Sequence, residues 1–121
     1  MTPTELRQRT KTFAIETRVI SWQLQRCGPA VGANYRATCR CRSDNDFIAK
    51  LGVVIEEADE SAFWLEILGE AEIVRPAATK RLLNEADELT RIFVSSRETA
   101  RRNRRLRHRG DRVKANSEPE P

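Results

Sequence analysis

Apolar and polar positions alternate with helical spacing over the first quarter of the chain. From residue 4 to residue 27 the less polar side chains recur four and three residues apart, at Leu6, Thr10, Phe13, Thr17, Ile20, Leu24 and Cys27. This spacing places them on one face of a helix. The tripeptide Cys-Gly-Pro follows at 27–29. Because glycine suits a helix C-terminus and proline opens a helix rather than continuing one, the first helix is predicted to end there.

The middle of the chain predicts a short helix followed by a long one. Small residues three and four apart between 30 and 42 indicate a second helix with a close-packing face. Ser43 precedes Asp46 by three residues, which is the spacing of an N-terminal capping box. The third helix is predicted over 44–69, and Gly69 is expected to end it. Its apolar stripe is the most regular of the chain and consists of Phe47, Leu51, Val54, Ala58, Ser61, Leu65 and Leu68.

A fourth helix is predicted to start near Pro76 or Ala77 and to carry the last apolar stripe. The stripe residues are Leu82, Ala86, Leu89, Phe93, Ser96 and Ala100. Four helices with short connections, each with one apolar face, indicate an all-α, antiparallel up-and-down four-helix bundle. We assign residues 1–107 to this domain and expect the polar, proline-ended segment 108–121 to be disordered.

Length and composition are consistent with one helical domain. The chain has 121 residues, of which 39% are hydrophobic and 33% charged, a balance that suits helices with charged outer faces. No apolar run approaches the roughly 20 residues of a membrane span, and the N-terminus lacks the apolar stretch of a signal peptide. The three cysteines are an odd number, which argues against a disulfide framework. We therefore expect a cytoplasmic protein without a membrane contact.

Positive charge is concentrated near the C-terminus. Residues 97–114 carry nine basic side chains against two acidic ones, although the net charge of the whole chain is only +4. Arginine is permanently charged and binds phosphate with a planar fork of donors, so this cluster is a candidate nucleic-acid site. A solvated helix end, or contact with an acidic neighbouring chain, would use the same residues. The candidates are Arg97, Arg101, Arg102, Arg104, Arg105, Arg107 and Arg109.

A second basic group consists of Arg36, Arg40 and Arg42. In an up-and-down bundle the second helix ends at the level where the third begins and the fourth ends. The two basic groups are therefore predicted to meet at one end of the bundle and to form a single phosphate-binding surface. Residues 94–121 contain no aromatic side chain on which a base could stack.

Three aromatic side chains lie just off the helix stripes. Trp22 and Trp64 are each beside a stripe position, and Phe63 is adjacent to Trp64. One such tryptophan would be ordinary core edge, but the group suggests apolar surface that remains after one bundle has formed. We predict that these three residues contact another subunit, with a place at the core edge as the alternative.

The sequence offers little for catalysis or metal binding. Cys27, Cys39, Cys41 and His108 are the available soft ligands, but no second paired motif follows the Cys-x-Cys at 39–41. There is no glycine-rich phosphate loop and no nucleophile with a plausible base. We expect no metal, no cofactor and no enzymatic activity.

The segment "AVGANYRATCRCRSDNDFIAKLGVVIEEADESAFWLEIL" resembles a bacterial four-helix-bundle family that includes the protein encoded in intervening sequences of 23S ribosomal RNA genes. That family has a fixed asparagine among small residues, a basic loop, a serine, acidic residue and phenylalanine opening its third helix, and acidic positions later in that helix. The resemblance covers about residues 5 to 105. The matching residues are Asn34, Arg40, Arg42, Ser43, Asp46, Phe47 and either Glu57 or Glu60.

The resemblance implies properties that composition and spacing do not. Members of the family are thought to form ring-like homopentamers, and related retroelement accessory proteins bind nucleic acid and a reverse transcriptase through a basic surface. The expectation is therefore a homo-oligomeric, RNA-favouring nucleic-acid-binding protein, accessory to ribosomal RNA or to a reverse transcriptase. The alternative is a structural or scaffolding oligomer that binds a protein partner.

Overall fold

A computed structural model describes the backbone of residues 1–17, 22–70 and 75–117 and the side chains of residues 1–13, 23–70 and 75–113. Over these ranges the chain forms four helices and no strand. They are α1 (Pro3–Thr17), α2 (Trp22–Thr38), α3 (Asp44–Glu70) and α4 (Pro76–Ser117). The predicted all-α class and the number of helices are confirmed.

Two helices begin with side-chain caps. At the start of α1 the Thr2 hydroxyl accepts the Glu5 backbone N–H at 3.1 Å, and the Glu5 carboxylate accepts the Thr2 N–H at 2.9 Å. At the start of α3 the predicted cap is present, because the Asp46 N–H donates to Ser43 Oγ at 3.1 Å. These bonds satisfy backbone donors that the first turn of a helix cannot satisfy itself.

The helices pack in the order in which they occur along the chain. α1 lies against α2, α2 against α3 and α3 against α4, and α4 closes the set against α1. Contacts at the two ends show that α3 and α4 are antiparallel: Gly69 lies against Thr79, while Asn45 bonds to Arg104. These contacts build the predicted antiparallel four-helix bundle.

The core follows the apolar stripes. In the first predicted segment, every stripe position with a described side chain is buried, including Thr10. In the third helix, every stripe residue is buried except Phe47, which is half-buried. In α4 the buried stripe ends at Phe93, whose ring lies 5.5 Å from that of Tyr35. The largest fully buried side chains are Phe13, Phe93, Leu24, Leu51, Leu65, Leu89, Val31 and Val54.

The first helix boundary differs from the prediction. α1 ends at Thr17 rather than at 27–29, and α2 runs through Gly28 and Pro29 to Thr38. Proline has no N–H, so Pro29 leaves the carbonyl of Gln25 without its helical donor. Gln25 is exposed, where water can bond to that carbonyl. The predicted stop is therefore an interior proline of the second helix.

Gly32 is a close-packing position between α1 and α2. A Cβ on this residue would lie 3.1 Å from the carbonyl oxygen of Thr10, which belongs to helix backbone and cannot rotate away. The absence of a side chain at Gly32 lets the two helices approach each other. Gly52, in contrast, has no neighbour within 4 Å of such a Cβ.

Helix α4 is much longer than its partners. Its 42 residues span about 63 Å, against about 40 Å for the 27 residues of α3. The last hydrogen bond that a described side chain of α4 makes to another helix is that of Arg107 to Asp44. The segment from 108, predicted to be disordered, continues as helix to Ser117, and residues 118–121 lie outside the described part.

Helix α4 is long enough to cross a bilayer, but arginines recur throughout its second half and prevent a continuous apolar stretch. Across the described ranges, none of the helices combines the length and the apolar character that crossing a bilayer requires.

Replacing each of two glycines with alanine tests the close contact of α1 with α2. Gly52→Ala should raise the free energy of unfolding by up to about 1 kcal/mol, since alanine favours the helix and has free space there. Gly32→Ala should lack this gain and be about 1–3 kcal/mol less stable than Gly52→Ala, because its Cβ meets the Thr10 carbonyl. Urea unfolding measures both. Equal gains at the two positions would show that the helices can separate freely.

Candidate nucleic-acid interface

The C-terminal part of α4 carries a row of exposed arginines. Arg102, Arg105, Arg109 and Arg112 recur at spacings of three, four and three, so they share one side of the helix. With Leu106 and His108 they line a surface depression of about 520 Å³. All of these side chains are exposed. Among the described side chains, no acidic group forms an ion pair with any of the four arginines.

Two other arginines of the cluster bond to polar side chains at the start of α3. Arg104 Nη1 donates to Asn45 Oδ1 at 2.8 Å, and Arg107 Nη2 donates to Asp44 Oδ1 at 2.7 Å. These bonds attach α4 to the start of α3. Arg107 and Asp44 are partly exposed, so the ion pair contributes positioning more than stability.

Arg97 and Arg101 belong to neither group. The Arg97 Nε is buried and has no hydrogen-bond partner among the described groups. Arg101 Nη1 donates to Glu98 Oε1 of its own helix at 3.0 Å. The basic cluster therefore divides into an outer row of unpaired charges and a set of inner or locally paired ones.

The second predicted basic group lies on a different surface. Arg36 and Arg40 line a groove between α1 and α2, together with Arg7 and Lys11. None of these residues lines the depression on α4. Arg42 is exposed in the segment before α3, two residues from the Asp44 that binds Arg107. The structure thus places the two groups on separate surfaces, with Arg42 near the inner side of α4.

Two cations of the groove were missed by the sequence analysis. Arg7 and Lys11 are four residues apart on α1, a spacing that puts them on one helix face. Arg36 lies in the last turn of α2, and Arg40 lies in the turn that follows this helix. The spacing of Arg7 and Lys11 was the available signal.

The predicted aromatic interface is described only in part. The side chain of Trp22 lies outside the described residues. Phe63 is 52% exposed, and its ring meets that of Trp64 edge-on at 5.2 Å. Trp64 is half-buried and packs against the core, and its indole N–H is buried without a partner among the described groups. Phe63 is therefore an exposed apolar residue, whereas Trp64 lies at the core edge.

The cysteines are dispersed rather than gathered. Cys27 is buried in the core, where burial raises the pKa of its thiol. Cys39 and Cys41 are half-buried in the segment after α2. Within the described ranges, no three His, Cys, Asp or Glu side chains come together as metal ligands.

Comparisons with known proteins agree with the bundle. The family model described as 23S rRNA-intervening sequence protein matches residues 4–95. Among solved structures, a protein of unknown function from the S23 ribosomal protein family of Bacteroides thetaiotaomicron VPI-5482 is similar, with a TM-score of 0.73. The two are 26% identical, and the match covers 81% of this chain and 99% of the other. No curated protein matches the chain.

The different burial of the thiols predicts their reactivity. Cys39 and Cys41 should react with a thiol reagent in the native protein, whereas Cys27 should react only after unfolding, since its thiol is buried and its pKa is raised. A dithionitrobenzoate assay should count about two fast thiols and a third in urea. Cys41→Ser should remove one fast thiol. Labelling of all three at one rate would contradict the burial of Cys27.

Proposed function

The chain belongs to the 23S rRNA-intervening sequence protein family, and we propose that it is a non-catalytic nucleic-acid-binding protein that favours RNA. The observation that carries the proposal is the outer row on α4: Arg102, Arg105, Arg109 and Arg112. Four exposed guanidinium groups along one helix side suit the regularly spaced phosphates of a nucleic-acid backbone.

The contacts in this proposal are with phosphates rather than with bases. The depression on α4 is lined by the outer row with Leu106 and His108, and it contains no Phe, Tyr or Trp on which a base could stack. Phosphate contacts fix a protein on nucleic acid without reading its sequence. Binding of this kind is strongly salt-dependent and weakly selective. Such binding suits an accessory protein of ribosomal RNA. It also suits an accessory protein of a reverse transcriptase, as in the retroelement proteins that the family resembles.

We further propose that the protein is a homo-oligomer, with the pentamer implied by the family resemblance as the favoured state. On α3, Phe63 and Ile67 are four residues apart and exposed at 52% and 36%, so they share one helix face. Exposed apolar side chains on one helix face are typical of subunit contacts. A ring would present several copies of the α4 row to one nucleic acid and so increase the overall affinity.

A scaffold for a protein partner is the second candidate function. It is favoured by the exposed acidic side chains of α3, which lie along the same helix as Phe63: Glu56, Asp59 and Glu60. An apolar and acidic surface of this kind would suit a basic partner. In that case nucleic acid would not bind to the purified protein at low salt.

Removing the outer row should weaken RNA binding. We expect the variant with Arg102, Arg105, Arg109 and Arg112 changed to Gln to lose at least about tenfold in affinity for a single-stranded RNA, and its salt-dependence slope to fall by about 3. Fluorescence anisotropy at several salt concentrations measures both.

A matched control removes the same amount of charge elsewhere. Lys50, Arg75, Lys80 and Arg91 are exposed and lie outside both basic surfaces, so changing them to Gln should leave the slope nearly unchanged. An equal loss in both variants would mean that net charge, and not the α4 row, binds the RNA.

The oligomer proposal is tested by one substitution on α3. Phe63→Glu should lower the mass measured by light scattering toward that of the monomer, because it places a charge in the apolar contact. Leu106→Glu, at an exposed apolar position on α4, should leave the mass unchanged. A monomeric wild-type protein at working concentration would refute the proposal.

A further inference from the structure

The groove between α1 and α2 is a second basic surface with a different form. It has a volume of about 550 Å³. Its rim carries Arg7 and Lys11 from α1, Arg36 from α2 and Arg40 from the turn after α2, and its other residues are small or polar. The complete lining consists of Thr4, Arg7, Gln8, Lys11, Pro29, Gly32, Ala33, Arg36 and Arg40.

Within the described part of the chain, no carboxylate lines the groove. The lining contains four cations. Among described side chains, Arg7 donates to the Thr4 hydroxyl at 3.2 Å, and no ion pair involves Lys11, Arg36 or Arg40. The nearby Glu5 is held by the N-terminal cap, where it accepts the Thr2 N–H. Like charges placed around one groove repel each other, so an anion bound there would be stabilised.

The close contact of the two helices creates this concentration of charge. Gly32 lets α1 approach α2 at Thr10, and the glycine also lines the groove floor with Pro29 and Ala33. The small side chains of these three residues leave space between the long basic side chains of the rim. As a result, Arg7 and Lys11 lie across one groove from Arg36 and Arg40.

We propose that the groove binds a polyphosphate chain, either that of a free nucleoside 5′-triphosphate or that of the 5′-triphosphate end of an RNA. A nucleic-acid backbone has one charge per nucleotide, which suits the linear row on α4. A triphosphate concentrates several charges within one short chain, which suits four cations around one groove. The Thr4 hydroxyl and the Gln8 amide add uncharged donors for phosphate oxygens.

This site goes beyond the proposed function because it does not depend on the α4 row. No residue is shared between the two linings. The groove and the row can therefore be inactivated separately, and the failure of one proposal leaves the other standing.

The first experiment titrates the full chain with inorganic triphosphate, ATP and AMP by calorimetry, without divalent cations. The wild type should bind triphosphate and ATP at least about tenfold more tightly than AMP. The double variant Lys11→Gln, Arg36→Gln should lose at least about tenfold in triphosphate affinity, and a second variant, Arg7→Gln with Arg40→Gln, should lose a similar amount.

Two controls separate the groove from general charge effects. Lys50→Gln with Arg91→Gln removes equal charge from exposed positions outside both surfaces and should keep triphosphate binding. The fourfold α4 variant should also keep it while losing RNA affinity. Absence of triphosphate binding by the wild type, or loss of binding in the controls but not in the groove variants, would overturn the proposal.

A second arm identifies the source of the polyphosphate. Two RNAs of one sequence, with a 5′-triphosphate or a 5′-hydroxyl, are compared in anisotropy. Tighter binding of the triphosphate RNA, abolished in the groove variants, supports an RNA end as ligand. Equal binding of the two RNAs with retained ATP binding supports a free nucleotide. Failure of both triphosphate RNA and ATP to bind at the groove refutes the proposal.

Discussion

The bundle depends on the burial of one apolar stripe from each of four helices. Leu24, Leu51, Leu65 and Leu89 are fully buried, and burial of each such side chain contributes about 1.5–3 kcal/mol. In proteins most of the stability of a helix comes from packing its apolar face against neighbouring elements. The stripe of α4 has its last fully buried residue at Phe93. Beyond it Ser96 and Ala100 are half-buried, and the side-chain hydrogen bonds of Arg104 and Arg107 attach the helix to the start of α3.

The sequence predicted the architecture where local chemistry and periodicity agreed. Ser43 with the regular stripe after it located α3 at both ends to within one residue. The division between α1 and α2 was missed because apolar residues keep a helical spacing from Leu6 to Cys27, across the break between the helices. The only glycine and proline nearby lie at 28–29, inside α2. The helix continues through Pro29 because the carbonyl that loses its donor belongs to the exposed Gln25.

The candidate site was predicted as a set of residues but not as a surface. Arginine content identifies residues 97–114, whereas the faces of α4 depend on which side meets α3. Arg104 and Arg107 donate hydrogen bonds to Asn45 and Asp44, whereas Arg102 and Arg109 are exposed to solvent. The groove could not be inferred because it requires the α1–α2 contact at Gly32. Pairwise spacing suggests which cations share a face, but only packing shows which faces meet.

The helical order of α4 beyond Arg107 depends on the repulsion among its own arginines. Arg105, Arg109 and Arg112 repel one another at spacings of three and four, which costs a helix about 0.2–0.5 kcal/mol per pair. No described hydrogen bond to another helix offsets this cost beyond Arg107. A polyanion laid along the row would cancel the repulsion. Helix content at this end is therefore expected to rise with salt, because salt screens the same repulsion.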